Sequence, residues 1–230
     1  MTGTGAPRRR GRPPNSEGGG RESLLRAGIE AFARHGFDRA DLRGIAANAG
    51  VAPNLVQIHF GGKAGLWTAC VDRMAQDMGP GLEAVANLVA DDGPLAARLR
   101  TAVSVLSAFY DAYPAVRDFV LGVPSENAER AAHITRKLLL PAWEAGQPLI
   151  AAGIEAGIIR ATHPALVFVL LNSALSQPPQ FPELLALLAA DIAPEEARAR
   201  LLETVISILI HDPASESAAN SVPVTHRGQA

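Results

Sequence analysis

The sequence predicts an all-α protein with a small N-terminal domain of three helices and a larger antiparallel helical domain after it. Apolar residues recur at spacings of three and four along the 230-residue chain, as they do on one face of a helix. Glycine and proline interrupt this pattern, for example at Gly79-Pro80, Gly93-Pro94 and His163-Pro164. Between these breaks there is no alternating strand pattern and no Asn-Gly hairpin signal. The helical segments are therefore expected to pack as a bundle.

The composition excludes several classes of protein. Hydrophobic residues make up 48% of the chain, too many for a disordered protein. The one cysteine, Cys70, cannot form an intramolecular disulfide or a cysteine cage for zinc. Apolar runs such as residues 165–171 are far shorter than the ~20 residues that span a membrane, and no cleavable leader pattern is present. We expect a cytoplasmic protein with no membrane partner.

Positive charge is concentrated at the start of the chain. Residues 1–63 contain 10 Lys and Arg against 5 Asp and Glu, whereas the remainder contains 11 against 18. Nucleic-acid binding requires cations gathered on one surface, because they must neutralise phosphates. A charged face that is merely solvated is the alternative interpretation.

The order of predicted elements in residues 21–66 is that of a helix-turn-helix domain. A first helix is expected over residues 22–35, closed by Gly36, and a second after the capping residue Asp41, ended by Gly50. Pro53 is suited to the first position of a third helix. In a helix-turn-helix this last helix enters the major groove, and the first supports it.

Residues outside this domain fall into three regions. Residues 1–20 are rich in Gly, Pro and Arg and are expected to be a flexible basic arm, and residues 213–230 a disordered tail. Residues 67–212 are expected to form the helical C-terminal domain. Its predicted helices cover residues 64–78, 82–90, 95–113, 126–140, 142–157, 163–177 and 195–210.

A known family shares the motifs of the N-terminal domain. They are AFARHGFDRADLRGIA at residues 31–46, AGVAPNLVQIHF at 49–60 and KAGL at 63–66. This pattern resembles the DNA-binding domain of the TetR family of bacterial transcriptional regulators. Past residue 70 the resemblance is one of architecture only. It implies a C-terminal domain that binds a small ligand and forms a homodimer.

The resemblance also implies roles for individual residues. Arg43 matches a position that reaches a guanine edge, and Pro53 and Asn54 match the groove-facing start of the recognition helix. Phosphate contacts are implied for Gln57, His59 and Lys63.

Four positions depart from the family pattern. Ala52 replaces the usual serine or threonine cap, and Leu55 lacks a hydroxyl for phosphate. Gln57 stands where tyrosine is common, and Ile58 where an aromatic residue or histidine is common. Ile58 has two interpretations, contact with a thymine methyl group or simple packing.

The arm carries a second DNA-binding signal. Arg10-Gly11-Arg12-Pro13 resembles the core of an AT-hook, which lays two arginines along a narrow minor groove. We therefore predict minor-groove contacts by Arg10 and Arg12. A solubilising or nonspecific basic tail is the alternative.

The C-terminal domain is expected to hold a small, largely apolar ligand, because residues 94–175 carry few charges. Candidate pocket residues are Phe109, Tyr113, His133, Trp143, Phe168 and Asn172. Each of them is alternatively a structural residue.

Homodimer contacts are expected from the helices near residues 163–177 and 195–210, whose apolar faces are broad. Burial inside one monomer is the alternative for these faces.

No enzymatic activity, cofactor or metal site is predicted. Cys70 lies in an apolar context that raises a thiol pKa, and the histidines lack paired metal-ligand spacing. The expected function is a sequence-specific transcriptional regulator, a repressor released from a palindromic operator by a small molecule. An architectural or protein-interaction module that binds DNA without sensing a ligand is the alternative, and an all-helical enzyme ranks third.

Overall fold

The computed structural model describes residues 17–121, 127–177 and 180–211. It divides into two compact units, an N-terminal unit that ends at Cys70 and a C-terminal unit that begins at Val71. Every regular element within the described ranges is a helix. This confirms the predicted all-α class.

The N-terminal unit is built from three helices and the first turns of a fourth. They are α1 (Glu17–Arg39), α2 (Leu42–Asn48), α3 (Asn54–Phe60) and α4 (Lys63–Ala90), which continues into the C-terminal unit. Side chains on the inner faces of these helices form the core of the unit: Leu24, Phe32, Ile45, Val56 and Leu66 are all buried.

The first helix begins earlier than the sequence predicts. Residues 17–20 are helical, so the prediction of an arm that extends through residue 20 was wrong at its C-terminal end. Glycine disfavours helix locally, but Gly20 is buried and a β-carbon there would lie 3.8 Å from Val51 Cγ1. The Arg21 guanidinium lies 5.3 Å above the Phe60 ring. These tertiary contacts explain why the helix extends into a glycine-rich segment.

Gly36 bends α1 at the predicted end of the first helix. Its φ of 71° and ψ of 173° lie outside the helical region, in a conformation that L side chains rarely adopt. The chain turns there, and the Phe37 ring stacks on Phe32 at a centroid separation of 6.0 Å.

The C-terminal unit contains the rest of α4 and seven further α-helices among the described residues. They are α5 (Leu95–Ala112), α6 (Pro114–Leu121), α7 (Ala128–Ile134), α8 (Leu140–Glu155), α9 (Pro164–Leu175), α10 (Phe181–Leu188) and α11 (Ala197–Leu209). A π-helical turn, Thr135–Leu139, connects α7 to α8. The core lies among α5, α8, α9 and α11, where Leu99, Val103, Leu149, Val167 and Val205 are buried.

Three predicted breaks were wrong, at Gly79-Pro80, at Pro141 and at Gly146 to Pro148, the last of which lies inside α8. Helix α4 continues through Gly79-Pro80, where Gly79 lacks the β-carbon that would otherwise clash with the ring of the following proline. Helix also continues past Pro141, which occupies the first turn of α8. Just before α8, the π-helical turn is closed by a hydrogen bond that the Leu140 amide donates to the Thr135 carbonyl oxygen.

Two helices were not predicted at all. Helix α6 starts at Pro114, and α10 has Pro182 in its first turn. Pro114 was interpreted only as a helix break, and Pro182 was not considered, yet the fixed φ of proline suits the first turn of a helix.

The described part of the chain contains one buried charged side chain. Arg117 on α6 is 2% exposed. Its Nε donates to Asp118 Oδ1 at 2.9 Å, and its Nη1 donates to the Gln177 carbonyl oxygen. The arginine thus links α6 to the segment that follows α9.

None of the described helices combines the length and apolar character that crossing a membrane requires.

Candidate nucleic-acid interface

Helix α2 presents Arg43 from a capped N-terminus. Asp41 accepts hydrogen bonds from the amides of Gly44 and Arg43, at 2.9 and 3.3 Å. These amides, Gly44 first, lower the pKa of the Asp41 carboxyl. Ile45 and Ala46 are buried beneath the helix. Arg43, by contrast, is exposed, so its guanidinium is available to a ligand outside the unit.

Helix α3 has one buried face and one open face. Val56 is 1% exposed and anchors the inner face. Pro53, Asn54 and Gln57 are all exposed. Because residues three and four apart share a helix face, Asn54 and Gln57 lie side by side. Three of the side chains predicted to reach DNA are therefore outward-facing at the start of this helix.

His59 and Lys63 are only half-exposed. Lys63 Nζ donates to the Asp38 carbonyl oxygen at 2.9 Å and lies 5.1 Å above the Phe37 ring. The His59 ring meets Phe60 edge-on at 6.1 Å. The lysine thus ties the start of α4 to the end of α1, a structural contact that the sequence did not reveal.

Gly65 is a second residue whose role the sequence did not reveal. A β-carbon built on Gly65 would lie 1.7 Å from the Phe60 carbonyl oxygen. That oxygen belongs to the last residue of α3, so the absence of a side chain at Gly65 lets α4 begin directly against the end of α3.

Arg10 and Arg12, which were predicted to contact the minor groove, lie outside the described residues.

The C-terminal unit contains an apolar cavity with about 100 Å³ of space for water-sized molecules. Among the predicted pocket residues, Phe109 and Phe168 line it. Its remaining lining consists of Leu, Ile, Val, Met, Ala and Gly from α4, α5, α8, α9, α11 and the segments after α8 and α11, so no polar side chain contributes.

The other predicted pocket residues lie outside this lining. Trp143 packs edge-on against Phe168 at 5.6 Å, and Tyr113 packs against Phe109 at 5.2 Å. Asn172 is hydrogen-bonded to Tyr110 and to the Phe168 backbone. His133 is half-buried on α7.

The single cysteine is enclosed in the N-terminal unit. Cys70 is buried and its Sγ lies 3.7 Å from the Leu25 carbonyl oxygen. Burial raises the pKa of this thiol, as its apolar sequence context predicts. Across residues 17–121, 127–177 and 180–211, no group of three or more His, Cys, Asp or Glu side chains is arranged to hold a metal ion.

Comparison with known proteins identifies the N-terminal unit. Residues 24–70 match the sequence model of the tetR family of bacterial regulatory proteins. The N-terminal unit belongs to the TetR family. It is thus a DNA-binding domain of the TetR type, as the sequence motifs predicted.

A curated relative supports this assignment. Over 55 residues the chain is 52% identical to the HTH-type transcriptional regulatory protein RaaS of Mycobacterium tuberculosis. The match covers 24% of this chain and 26% of RaaS, about a quarter of that relative's length.

Solved structures extend the similarity in fold to most of the chain. HlyIIR, a hemolysin II transcriptional regulator, superimposes with a TM-score of 0.64 at 16% identity, over 86% of this chain and 100% of that one. FadR from Bacillus subtilis, in complex with stearoyl-CoA, superimposes with a TM-score of 0.58 at 17% identity, over 83% and 99%. The fold is therefore that of known transcriptional regulators.

Proposed function

We propose that this protein is a sequence-specific transcriptional regulator, a homodimeric repressor whose affinity for DNA changes when a small apolar molecule binds. The observation that carries the proposal is the open face of the TetR-type domain. Arg43, Asn54 and Gln57 are exposed there, on short helices whose opposite faces are buried. Buried residues fix the direction of the exposed ones, which is what base recognition requires.

Each exposed side chain suits a particular DNA group. The Arg43 guanidinium matches the paired acceptors N7 and O6 of guanine, and the Asn54 amide matches N7 and N6 of adenine. Gln57, His59 and Lys63 are assigned to phosphate, where contacts set position rather than sequence. Lys63 would make this contact while its ammonium group also binds the Asp38 carbonyl.

Selection from random duplex DNA tests sequence recognition. The full chain should enrich one half-site in two symmetric copies, with centres about 34 to 36 Å or a multiple of that distance apart. Footprinting should then show two protected segments on one side of the duplex. Binding without an enriched sequence would favour the architectural module.

Dimerisation is proposed through α9 and α11, with a second copy of the chain as the partner. Leu166, Val169 and Leu170 on α9 are more than half exposed, as is Ile208 on α11. Val167, Leu171 and Val205 are buried within one chain, so only part of each apolar face is free for the partner. Exposed apolar surface of this kind marks protein interfaces.

Sedimentation tests the proposed dimer. It should give a dimer for the full chain and a monomer for the Leu170→Glu variant, whereas Val89→Glu on α4 should remain dimeric.

The cavity is proposed as the ligand site. Apolar cavities of about 150 Å³ bind molecules of the size of benzene, and the present cavity, at about 100 Å³, is smaller. The ligand class proposed is therefore a compact, uncharged, hydrocarbon-like molecule. The absence of polar lining gives a charged group no partner, and its desolvation would oppose binding. FadR, which has a similar fold, is known with stearoyl-CoA, so the architecture is compatible with binding a small molecule.

Ligand response is tested by titrating selected DNA with and without small lipophilic compounds. A true effector should weaken DNA binding by about 5-fold to 150-fold, and DNA should weaken effector binding by the same factor. Ala102→Leu, which fills space in the cavity wall, should abolish the response. Ala97→Leu, exposed on the same helix, should retain it.

A further inference from the structure

Ile58 is placed unusually for a large apolar side chain. It is 67% exposed, and among the described residues of the N-terminal unit it is the one large hydrophobic side chain that is left exposed. Other apolar side chains of α3 turn inward: Val56 is buried and Leu55 is half-buried. The packing of this unit therefore does not explain why an isoleucine occupies position 58.

The neighbours of Ile58 on the helix surface are polar. Asn54 lies one turn before it, at a spacing of four residues, and Gln57 is adjacent in sequence and also exposed. Ile58 thus stands within the face assigned to DNA, beside two side chains whose chemistry matches base edges or phosphate. It is the apolar element of an otherwise polar surface.

We propose that Ile58 reads a thymine through its C5-methyl group in the major groove. This inference rests on the proposed DNA-binding function. The methyl group is the one apolar feature of the major-groove edges, and a branched aliphatic side chain can contact it without leaving a polar group unsatisfied. The contact removes apolar surface of both partners from water.

The position of Ile58 also limits where that thymine lies. Four residues along a helix correspond to about 6 Å, and successive base pairs are about 3.4 Å apart. The thymine is therefore expected within about two base pairs of the base read by Asn54. The half-site should contain such a thymine at one fixed position.

Replacing thymine by deoxyuridine removes only the methyl group and is the direct test. In the selected DNA, each thymine of the half-site is replaced in turn by deoxyuridine, and the affinity of the full chain is measured. We expect one position at which the replacement weakens binding about fourfold per half-site, the factor that corresponds to burial of one methyl-sized group. The replacement leaves the hydrogen-bonding groups of the base unchanged, so the affinity should change little at the other thymine positions.

Variants at position 58 link the methyl group to Ile58. Ile58→Ala should bind thymine and deoxyuridine DNA equally at that position, whereas Ile58→Val, which keeps a branched side chain, should retain most of the discrimination. The exposure of Ile58 makes unfolding an improbable cause of any change, and thermal denaturation of each variant checks this.

The outcomes separate the inference from the function on which it rests. If the chain selects a DNA sequence but is indifferent to deoxyuridine at every position, the thymine contact is overturned and DNA recognition stands. If discrimination persists in Ile58→Ala, another residue contacts the methyl group, which also overturns the inference. If no DNA sequence is selected, the proposed function fails and the inference fails with it.

Discussion

The Tyr110 hydroxyl on α5 donates a hydrogen bond of 2.8 Å to the side-chain oxygen of Asn172 on α9. Asn172 Nδ2 donates in turn to the Phe168 carbonyl oxygen at 2.9 Å, so both ends of the amide are engaged. Burial raises the pKa of Tyr110 to about 12, so the hydroxyl remains a donor well into the alkaline range. The pair joins two helices that contribute to the cavity wall.

Tyr110→Phe should lower the free energy of unfolding by about 1 kcal/mol, because the Asn172 oxygen loses its donor while the packing of the ring is kept. Urea denaturation at pH 7 measures the change. Tyr113→Phe is the matched control, since Tyr113 is 38% exposed, and it should have little effect. Equal losses in the two variants would contradict the structural role of the Tyr110 hydroxyl.

Tyr110 should also contribute to alkaline unfolding. Its pKa is about 12 in the folded state against a reference of 10.0, so between these pH values the unfolded chain releases this proton and the folded chain keeps it. The stability linked to the neutral hydroxyl is therefore complete below pH 10 and is lost as the pH rises towards about 12. Denaturation midpoints measured across this window should fall less steeply in Tyr110→Phe than in the wild type. An equal fall of the denaturation midpoint with pH in the variant and the wild type would argue against a buried, neutral Tyr110.

Arg43→Ala should remove about 1 to 3 kcal/mol of discrimination at one base pair of each half-site. The reason is that a bidentate guanidinium contact is lost from an exposed position while Asp41 still caps the helix. Competition binding on the selected DNA and its single-base variants measures this. Arg34→Ala, an exposed cation on α1, is the control and should leave base preference unchanged. A uniform loss on every sequence would make Arg43 a phosphate contact instead.

Gly65→Ala should destabilise the N-terminal unit by about 1 to 3 kcal/mol, the usual cost of overpacking, because the new methyl group meets the Phe60 carbonyl oxygen. Affinity for DNA should fall with it, since α3 ends at that residue. Gly81→Ala on the same helix is the control: its β-carbon would lie 3.6 Å from Val105 Cγ1, an ordinary contact. It should be neutral or slightly stabilising. Calorimetric unfolding of both variants distinguishes the two glycines.

Removal of residues 1–16 should reduce the salt dependence of DNA binding. Arg8, Arg9, Arg10 and Arg12 are lost, and each arginine that displaces a counterion contributes just under one unit to the slope of log affinity against log salt. The slope should therefore become shallower by about 2 to 4 units, and any preference for A·T pairs in the flanks should disappear. Preference within the half-site should persist. An unchanged slope and flank preference would mean that the arm does not contact DNA.

The sequence was most informative where structure is determined locally. Asp41 and Gly50 predicted the ends of α2, and Gly36 the turn in α1, because capping and a positive φ depend on a few adjacent residues. The same local logic failed at Gly79-Pro80 and Pro141, where proline occurs within a continuous helical run. Whether a proline interrupts a helix depends on its neighbours as well as on its ring.

Contacts that depend on the folded arrangement were not predictable. Tyr110 and Asn172 are 62 residues apart, and nothing in either segment indicates the other. The Lys63 ammonium was interpreted only as a phosphate ligand, because its contact with the Asp38 carbonyl needs the folded N-terminal unit. For Ile58 the sequence left two interpretations, and exposure in the folded unit now favours the one that involves DNA.

The enclosure of Cys70 makes the protein convenient for spectroscopy. Only the thiolate reacts readily with maleimides or disulfide reagents, and this thiol is both buried and hard to ionise. A cysteine introduced at Ala47, exposed on α2, would then be the one site to accept a fluorophore in the native protein. Attachment on α2, which precedes α3, would report DNA binding directly, with the wild-type cysteine left in place.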